Sequence, residues 1–370
     1  MQNIKKFTKK KYRLNKEIFY VNKSDIQFIS LFSGCGGLDI GAILNGFSVI
    51  SSLDNDIDSL ETLRSNKVFK NTEHNLKDVR EVKDKDYINV IKRNNPKKLY
   101  VIGGPPCQPF SKAGYWQTDK KRKGYKDPKN MIDPYLDFIK GIKPDGFILE
   151  NVESILHPKN TVYLDHIKER IISMGFNLEI HKINAADFGV PQKRKRVFFI
   201  AKKTAILSNF KKTHGDKKSV LLNPVLKNYE RVIDWIGEYD DVKYSDNYDS
   251  IDGKYKNDLI QIPPGKNYMH LTEKHHHPNP KFVAGKRYWT FLLKLDPNLP
   301  SNTIISSPGH WEGPFHWKNR RLRIKELSAI QTFPCDYKFF GSRRSVIRQI
   351  GNAVPPLLAK VVIKSLVNEI

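Results

Sequence analysis

Four short stretches gather the residues whose types could do chemistry. "GGPPCQPFS" holds Cys107 behind two prolines. Each proline fixes its own φ and lacks an N–H, and the first biases Gly104 towards extended geometry, so the thiol is aimed from a strand end with little freedom to lose. Such aiming suits a nucleophile, although no histidine stands beside Cys107 as a base; the alternative is a small buried hydrophobe after a Pro-Pro turn. "LENV" ends a strand with Glu150 at its tip, and "PQKRKRVFFI" sets Arg194 and Arg196 at period two, on one strand face and available to one ligand. The plainer readings are a helix N-cap for Glu150 and surface charge for the arginines. An acid that can stay protonated, a thiol and two guanidiniums at neighbouring strand ends make a site for an electron-poor ring.

In the fourth stretch, "LFSGCGGLDIG", Gly34, Gly36, Gly37 and Gly41 follow a strand and open a helix, a geometry that lets a ligand approach the backbone. Asp54 follows Gly34 by about the twenty residues expected of a carboxylate holding a ribose hydroxyl pair. Asp78, in "KDVR", is placed to accept from an adenine amino group. These features favour a nucleoside ligand over a structural glycine turn with two surface aspartates. The spacing departs from G-x-G-x-x-G, which disfavours a nicotinamide enzyme.

The elements that must position these residues repeat one form. "QFISLFSGCGG", "FSVISSLDND", "KLYVIGGPP", "DGFILENV" and "RVFFIA" are apolar strands, most of them ending in Gly, Pro, Asp or Asn, and "DSLETLRSN" and "YLDFIKGI" between them have helical spacing. Alternating strands and helices imply an α/β fold with a parallel sheet covered on both faces and ligands beyond the carboxyl ends of its strands. From 204 to about 318 the rhythm is lost in Pro, Gly, aromatic and basic residues, which reads as a second, smaller, irregular and mostly β module. Helical pattern returns in "RIKELSAIQTF" and after "GNAVPPLLAKVVIKSLV". The domains expected are a basic arm over 1–24, a catalytic and cofactor-binding domain over 25–203, a small domain over 204–340 and a segment over 341–370 that returns to the first.

The 370 residues carry 64 basic and 39 acidic side chains, a formal charge of +25, as expected when the partner is a polyanion, nucleic acid above all; a lysine-rich solvated surface competes for part of the excess. Three scattered cysteines fit neither a disulfide framework nor a thiolate zinc site and suit a reducing cytoplasm. The His270 and His275–His277 cluster lies among prolines and reads as an exposed loop, so no metal is expected. No apolar run approaches the roughly 18 residues that span a bilayer.

With these motifs in order, the chain resembles the cytosine-C5 DNA methyltransferases of bacterial restriction and modification systems. "FSGCGG" is similar to the family's cofactor loop, "GGPPCQPFS" to its nucleophile segment, "ENV" to its glutamate segment, "PQKRKR" to its paired arginines, and "RRLRIKELSAIQTFP" and "QIGNAVPP" to its last two motifs. The resemblance implies a Rossmann-like S-adenosylmethionine-dependent fold whose middle module recognises the target. It also implies a monomer acting on double-stranded DNA in the cytoplasm, without a membrane, beside a cognate restriction endonuclease that acts separately. A flipped-out cytosine would be attacked at C6 by Cys107, with Glu150 at N3 and Arg194 and Arg196 holding the base. Phe32, Gly34, Gly36, Gly37, Asp54, Asp78, Pro105, Asn352 and Val354 would bind the cofactor.

Two residues depart from the family pattern: Asp54 stands where glutamate is usual, with Asp56 near enough to compete, and Lys325 stands where arginine is common. The stretch after the thiol, "KAGYWQTDKKRKGYKD", resembles the family's active-site loop and implies closure over DNA with Lys120 to Lys123 near phosphates. Arg287, Trp289, His310 and Trp311 are the candidates for base recognition, although "GHWEGPFHW" also fits the core of a small domain. The tRNA-directed branch of the same family and a non-catalytic DNA-binding protein are the competing readings; the long middle module argues against the first.

Overall fold

The computed structural model describes residues 24–106, 130–206, 210–285 and 288–367. Cys107, Lys120 to Lys123, Arg287 and nearly all of the basic arm lie outside them. Seven strands, β1 (Ile26–Leu31), β2 (Ser48–Asp54), β3 (Glu73–Leu76), β4 (Lys98–Gly103), β5 (Gly146–Val152), β6 (Asn177–Asn184) and β7 (Lys195–Lys202), form one sheet in the order β3-β2-β1-β4-β5-β7-β6. The five strands from β3 to β5 are parallel, and β7 runs antiparallel to both β5 and β6. "RVFFIA" is therefore the one expected strand whose direction departs from an all-parallel sheet, because β6 and β7 form a hairpin-like pair at the edge. β3 and β6 carried no apolar run: β3 has only four residues, and β6 is mostly half-exposed.

Helices α1 (Gly37–Ile43), α2 (Ile57–Arg64), α3 (Asp84–Asn94), α4 (Ile132–Ile142) and α5 (Thr161–Ser173) connect the strands. In the stretch that follows, regular strand among the described residues is limited to the two-residue β8 (His214–Gly215) and β9 (Lys227–Asn228) and a few isolated bridges. The rest is turns with the short helices α6 (Lys217–Leu222), α7 (Val232–Ile236) and α8 (Lys256–Gln261). The module is irregular as expected but carries little β structure, because its prolines and glycines interrupt any alternation; packed aromatic rings serve instead, with Tyr255 at 5.1 Å from Phe291 and 5.6 Å from Trp311.

The chain closes with α9 (Ile324–Ile330), α10 (Arg343–Asn352) and α11 (Pro356–Val367). The run Arg343–Val367 is apolar enough by length and composition to cross a bilayer, yet it is broken at Ala353–Pro355 and most of it is buried. α11 packs on α1 in a core that also takes Leu60 and Leu63 of α2 and Phe333 and Tyr337. The opposite face of the sheet is covered by α3, α4 and α5. Two smaller cores, one around Trp235, Ile330 and Ile350 and one around Leu271, Leu292 and Phe315, hold the middle module.

Asp39 of α1 is fully buried and accepts from Ser30 Oγ and Ser52 Oγ, both at 2.9 Å. Burial, only partly offset by the two hydroxyls, raises its pKa from 3.8 to about 6. A carboxyl whose folded value exceeds its unfolded one takes up its proton in the folded state first, so stability rises as pH falls from about 6 towards 4, and the penalty of keeping it ionised above that window is on the order of 3 kcal/mol. Thermal unfolding of Asp39→Asn against the unsubstituted chain is expected to show the largest gain in midpoint near pH 8 and a gain that shrinks towards pH 5; a gain independent of pH would show that Asp39 does not titrate there.

Candidate active site

Strand register assembles the site. Leu31 pairs with both Leu53 and Gly103, and Gly103 pairs with Leu149. The residues one step further on, Phe32, Asp54, Gly104 and Glu150, therefore stand on one rung near the carboxyl ends of four adjacent strands, where ligands bind in open α/β sheets, although β5 continues two residues beyond Glu150. All four line one cavity of about 820 Å³, within the range of small-molecule sites.

At the β1 end the backbone turns through Phe32, which holds φ 53°, a costly conformation for a residue with a side chain. The turn is tied to β2: Gly34 N donates to Asp54 Oδ2 at 2.8 Å, which is the physical content of the twenty-residue spacing. Asp54 Oδ1 accepts from Asp56 N at 2.9 Å. Burial raises the Asp54 pKa, with the Gly34 and Asp56 amides opposing it. Asp56 also lines the cavity, but its carboxylate is engaged elsewhere, accepting from Ser59 Oγ at 2.6 Å and pairing with Arg348 at 2.9 Å. Gly34 opens onto space, whereas Gly36 faces Leu63, Phe69 and Tyr337 in the core, outside the cavity. Gly37 abuts the returning segment so closely that a β-carbon would collide with the Val354 carbonyl.

The β4 end supplies Gly104, Pro105 and Pro106, all on the cavity wall, with Asn151 Nδ2 donating to the Pro105 carbonyl at 3.3 Å. Cys107 follows directly in sequence. A β-carbon on Gly104 would lie 2.8 Å from Glu150 Oε2, so only glycine lets that carboxylate lie against the loop. Glu150 is 8% exposed and its Oε1 lies 2.9 Å from Arg196 Nε. The two reach each other diagonally across the antiparallel pair, since Glu150 is opposite Phe198 and Val152 opposite Arg196. Burial pushes the Glu150 carboxyl above the usual range, with Arg196 and then Arg194 pulling against it.

The two arginines do not both face the cavity. Arg196 lines the cavity; Arg194 is 0% exposed, lies behind the wall and donates through Nη2 to the Gly351 and Asn352 carbonyls at 2.8 and 3.4 Å. Burial, then the charge of Arg196, lowers its pKa well below the ordinary value. The common-face expectation fails because Arg194 precedes β7 and no longer follows strand alternation.

Asp78 is likewise placed elsewhere. It caps the turn after β3 and binds Arg80 through both oxygens, with contacts of 2.9 and 2.6 Å, and it is not on the cavity wall. Asn352 and Val354 do line the cavity, together with Thr303–Ser307, Arg348 and Gln349, which the sequence reading missed. The stretch "TIISS" has no turn, charge or periodic signal; it is held at the site by Gly351 packing on Ile305 and Ser306 and by bonds from Thr303 to the Lys193 carbonyl and from the Ile304 amide to Gln192. Of the recognition candidates, Trp289 is 65% exposed, His310 is exposed, and Trp311 packs into the small aromatic core.

A family model described as the C-5 cytosine-specific DNA methylase matches residues 26–368. The type II methyltransferase M.SacI of Streptomyces achromogenes is 33% identical over 374 residues, covering 94% of each chain. The type II methyltransferase M1.HphI of Haemophilus parahaemolyticus is 29% identical, covering 95% of this chain and 89% of its own. Among solved structures, a prophage-encoded Escherichia coli protein described as a DNA modification methyltransferase superposes with a TM-score of 0.62 at 23% identity, covering 92% of this chain and 98% of its own. The DNMT2 of Spodoptera frugiperda does so with 0.58 at 17%, covering 92% and 99%, a likeness of fold. With a match that spans nearly the whole chain, the protein belongs to the C-5 cytosine-specific DNA methylases.

Proposed function

We propose that this DNA cytosine-5-methyltransferase is a sequence-specific modification enzyme that works on a flipped-out cytosine through a covalent bond from Cys107 to C6 and protects DNA from a cognate endonuclease. The observation that carries the reading is the junction of Gly104, Pro105 and Pro106 with the buried Glu150–Arg196 pair on one cavity wall, directly ahead of Cys107 in the chain.

The cavity fits S-adenosylmethionine, the family's cofactor. Gly34 leaves room at the turn, each Asp54 oxygen keeps a lone pair beyond its one backbone bond, and the volume of about 820 Å³ holds a nucleoside with an amino acid tail. Phe32, Gly34, Asp54, Pro105, Asn352 and Val354 would hold it; Gly36 and Asp78 would act at a distance, through the turn and through the β3 end. When bound, the cofactor supplies an electrophilic methyl group for C5.

The chain's own residues supply the rest. The Cys107 thiolate adds to C6 while Glu150, whose burial favours its protonated form against the pull of Arg196, gives a proton to N3, so the electrons of the C5–C6 double bond come to rest as a nucleophilic C5. Arg196 fixes the Glu150 carboxyl and faces the base. After methylation, loss of the C5 proton to solvent restores the double bond and expels Cys107 as thiolate, and N3 returns its proton to Glu150, so the acid is ready for the next cycle. Protonation of the ring makes C6 electrophilic, so no histidine is required beside the thiol. Extruding the base costs a few kcal/mol, which contacts from the middle module and the basic surface would offset.

Transfer of labelled methyl groups to unmethylated duplex DNA is expected to vanish with Cys107→Ala; retained transfer would overturn the mechanism. Glu150→Gln is expected to lower kcat by roughly 10²–10⁴-fold. Because the raised Glu150 group must be protonated, the unsubstituted enzyme should lose activity as pH rises through its pKa, and Glu150→Gln should lack that limb. DNA affinity is expected to fall steeply between low and moderate salt as phosphates are neutralised, and a flat response would assign the +25 charge to solvation alone.

A further inference from the structure

The helix that returns the chain to the cavity ends abruptly. α10 stops at Asn352, and Ala353 is extended, with φ −61° and ψ 146°, ahead of Val354-Pro355-Pro356, so no left-handed glycine cap gathers the last carbonyls. Side chains distant in sequence take them instead. Arg194 Nη2 donates to the Gly351 and Asn352 carbonyls at 2.8 and 3.4 Å. Gln331 Nε2 donates to the Ile350 and Ala353 carbonyls at 2.9 and 2.6 Å. Gln331 Oε1 in turn accepts from Gln192 Nε2 at 2.5 Å, and Gln192 Oε1 accepts from the Ile304 amide at 3.2 Å.

Arg194, Gln192 and Gln331 are each 0% exposed, and none lines the cavity. The segments they grip do: Asn352–Val354 on one side and Thr303–Ser307 on the other. The fixed ends set the orientation of both amides, since two carbonyls demand an NH2 at one end and an N–H demands an oxygen at the other. The relay therefore has one polarity. The guanidinium also lies at the negative end of the α10 dipole, a favourable place for a buried cation.

We infer that Arg194, Gln331 and Gln192 are positioning residues for the cofactor end of the cavity: they cap α10 and clamp the Ile304 segment against it, so that these two walls face each other in one register. The inference rests on the reading of this cavity as the cofactor site and assigns Arg194 to this cap in place of contact with the base.

Calorimetric titration of the full chain with S-adenosylhomocysteine, without DNA, tests it. Gln331→Leu removes both donors to α10 and is expected to weaken binding roughly ten-fold or more, in keeping with two buried carbonyls left unpaired, and to raise the cofactor KM more than it lowers kcat. Gln192→Leu spares the cap and is expected to lose less. Gln331→Glu turns a carboxylate towards two carbonyls, and protonation returns one donor, so its affinity should recover as pH falls from about 8.5 to about 6 while Gln331→Leu stays flat. Unsubstituted affinity in Gln331→Leu, or no recovery in Gln331→Glu, would overturn the relay. If Gln331→Leu does not fold, Gln192→Leu and the pH response of Gln331→Glu decide. Product binding does not need the thiol, so failure here leaves the Cys107 mechanism standing, and an active Cys107→Ala leaves the relay standing.

Discussion

Four carbonyls at the end of α10 accept from buried side chains, and the arrangement of the molecule follows from where those donors come from. One donor precedes β7, the other ends α9, and the helix itself comes after the middle module, so the cap can form only when three distant parts of the chain have met. The same stretch is held from its other side by the Arg348–Asp56 pair and by Thr62 Oγ1 donating to Gln349 Oε1 at 2.7 Å. Tyr337 adds a bond from its hydroxyl to the Cys35 carbonyl at 2.7 Å, which fastens the segment after α9 to the β1 turn. The cavity is thus a by-product of satisfying backbone groups that have no partner within their own helix.

Charge inside the cavity runs against charge outside. The chain carries +25 overall, yet on the walls the carboxylates Asp54, Asp56 and Glu150 outnumber the arginines Arg196 and Arg348. Each carboxylate sits where burial raises its pKa or where a specific donor holds it: backbone amides for Asp54, Arg348 for Asp56, Arg196 for Glu150. A basic exterior suits a polyanion, while the desolvated interior raises the Glu150 carboxyl above its usual range; the two environments are opposite and are separated in space.

In the middle module, buried ion pairs replace the sheet as the organising element. Arg320 binds Glu326 at 2.9 and 2.7 Å and Asp240 at 3.0 Å, and Arg323 reaches Asp249 and the Tyr239 and Asp241 carbonyls. His316, fully buried beside them, has its pKa lowered to about 3 by desolvation and then by Arg320, so it stays neutral. Such pairs add little net stability compared with apolar packing, but breaking one leaves an uncompensated charge, which ties the loop over 237–249 firmly to the start of α9.

The central strands and the main helices were legible because buried parallel strands read as continuous apolar runs and surface helices as periodic ones. So were Asp54 at the next strand end, the Pro-Pro segment after β4 and Glu150 near the end of β5, which continues two residues further than expected. β3 and β6 were not legible, because short or half-exposed edge strands lack that signal, nor was the antiparallel turn of β7, because strand direction is a matter of connection rather than composition. Arg194 and Arg196 share a motif and a charge but have different partners, and Asp78 is near the site in sequence order yet bound to Arg80. Thr303–Ser307 has no chemical signature at all. By itself the sequence determined which residues stand at the strand ends, because pattern and turn chemistry are local; only the tertiary structure decided which of them meet in the cavity, because burial and hydrogen-bond partners come from segments hundreds of residues apart.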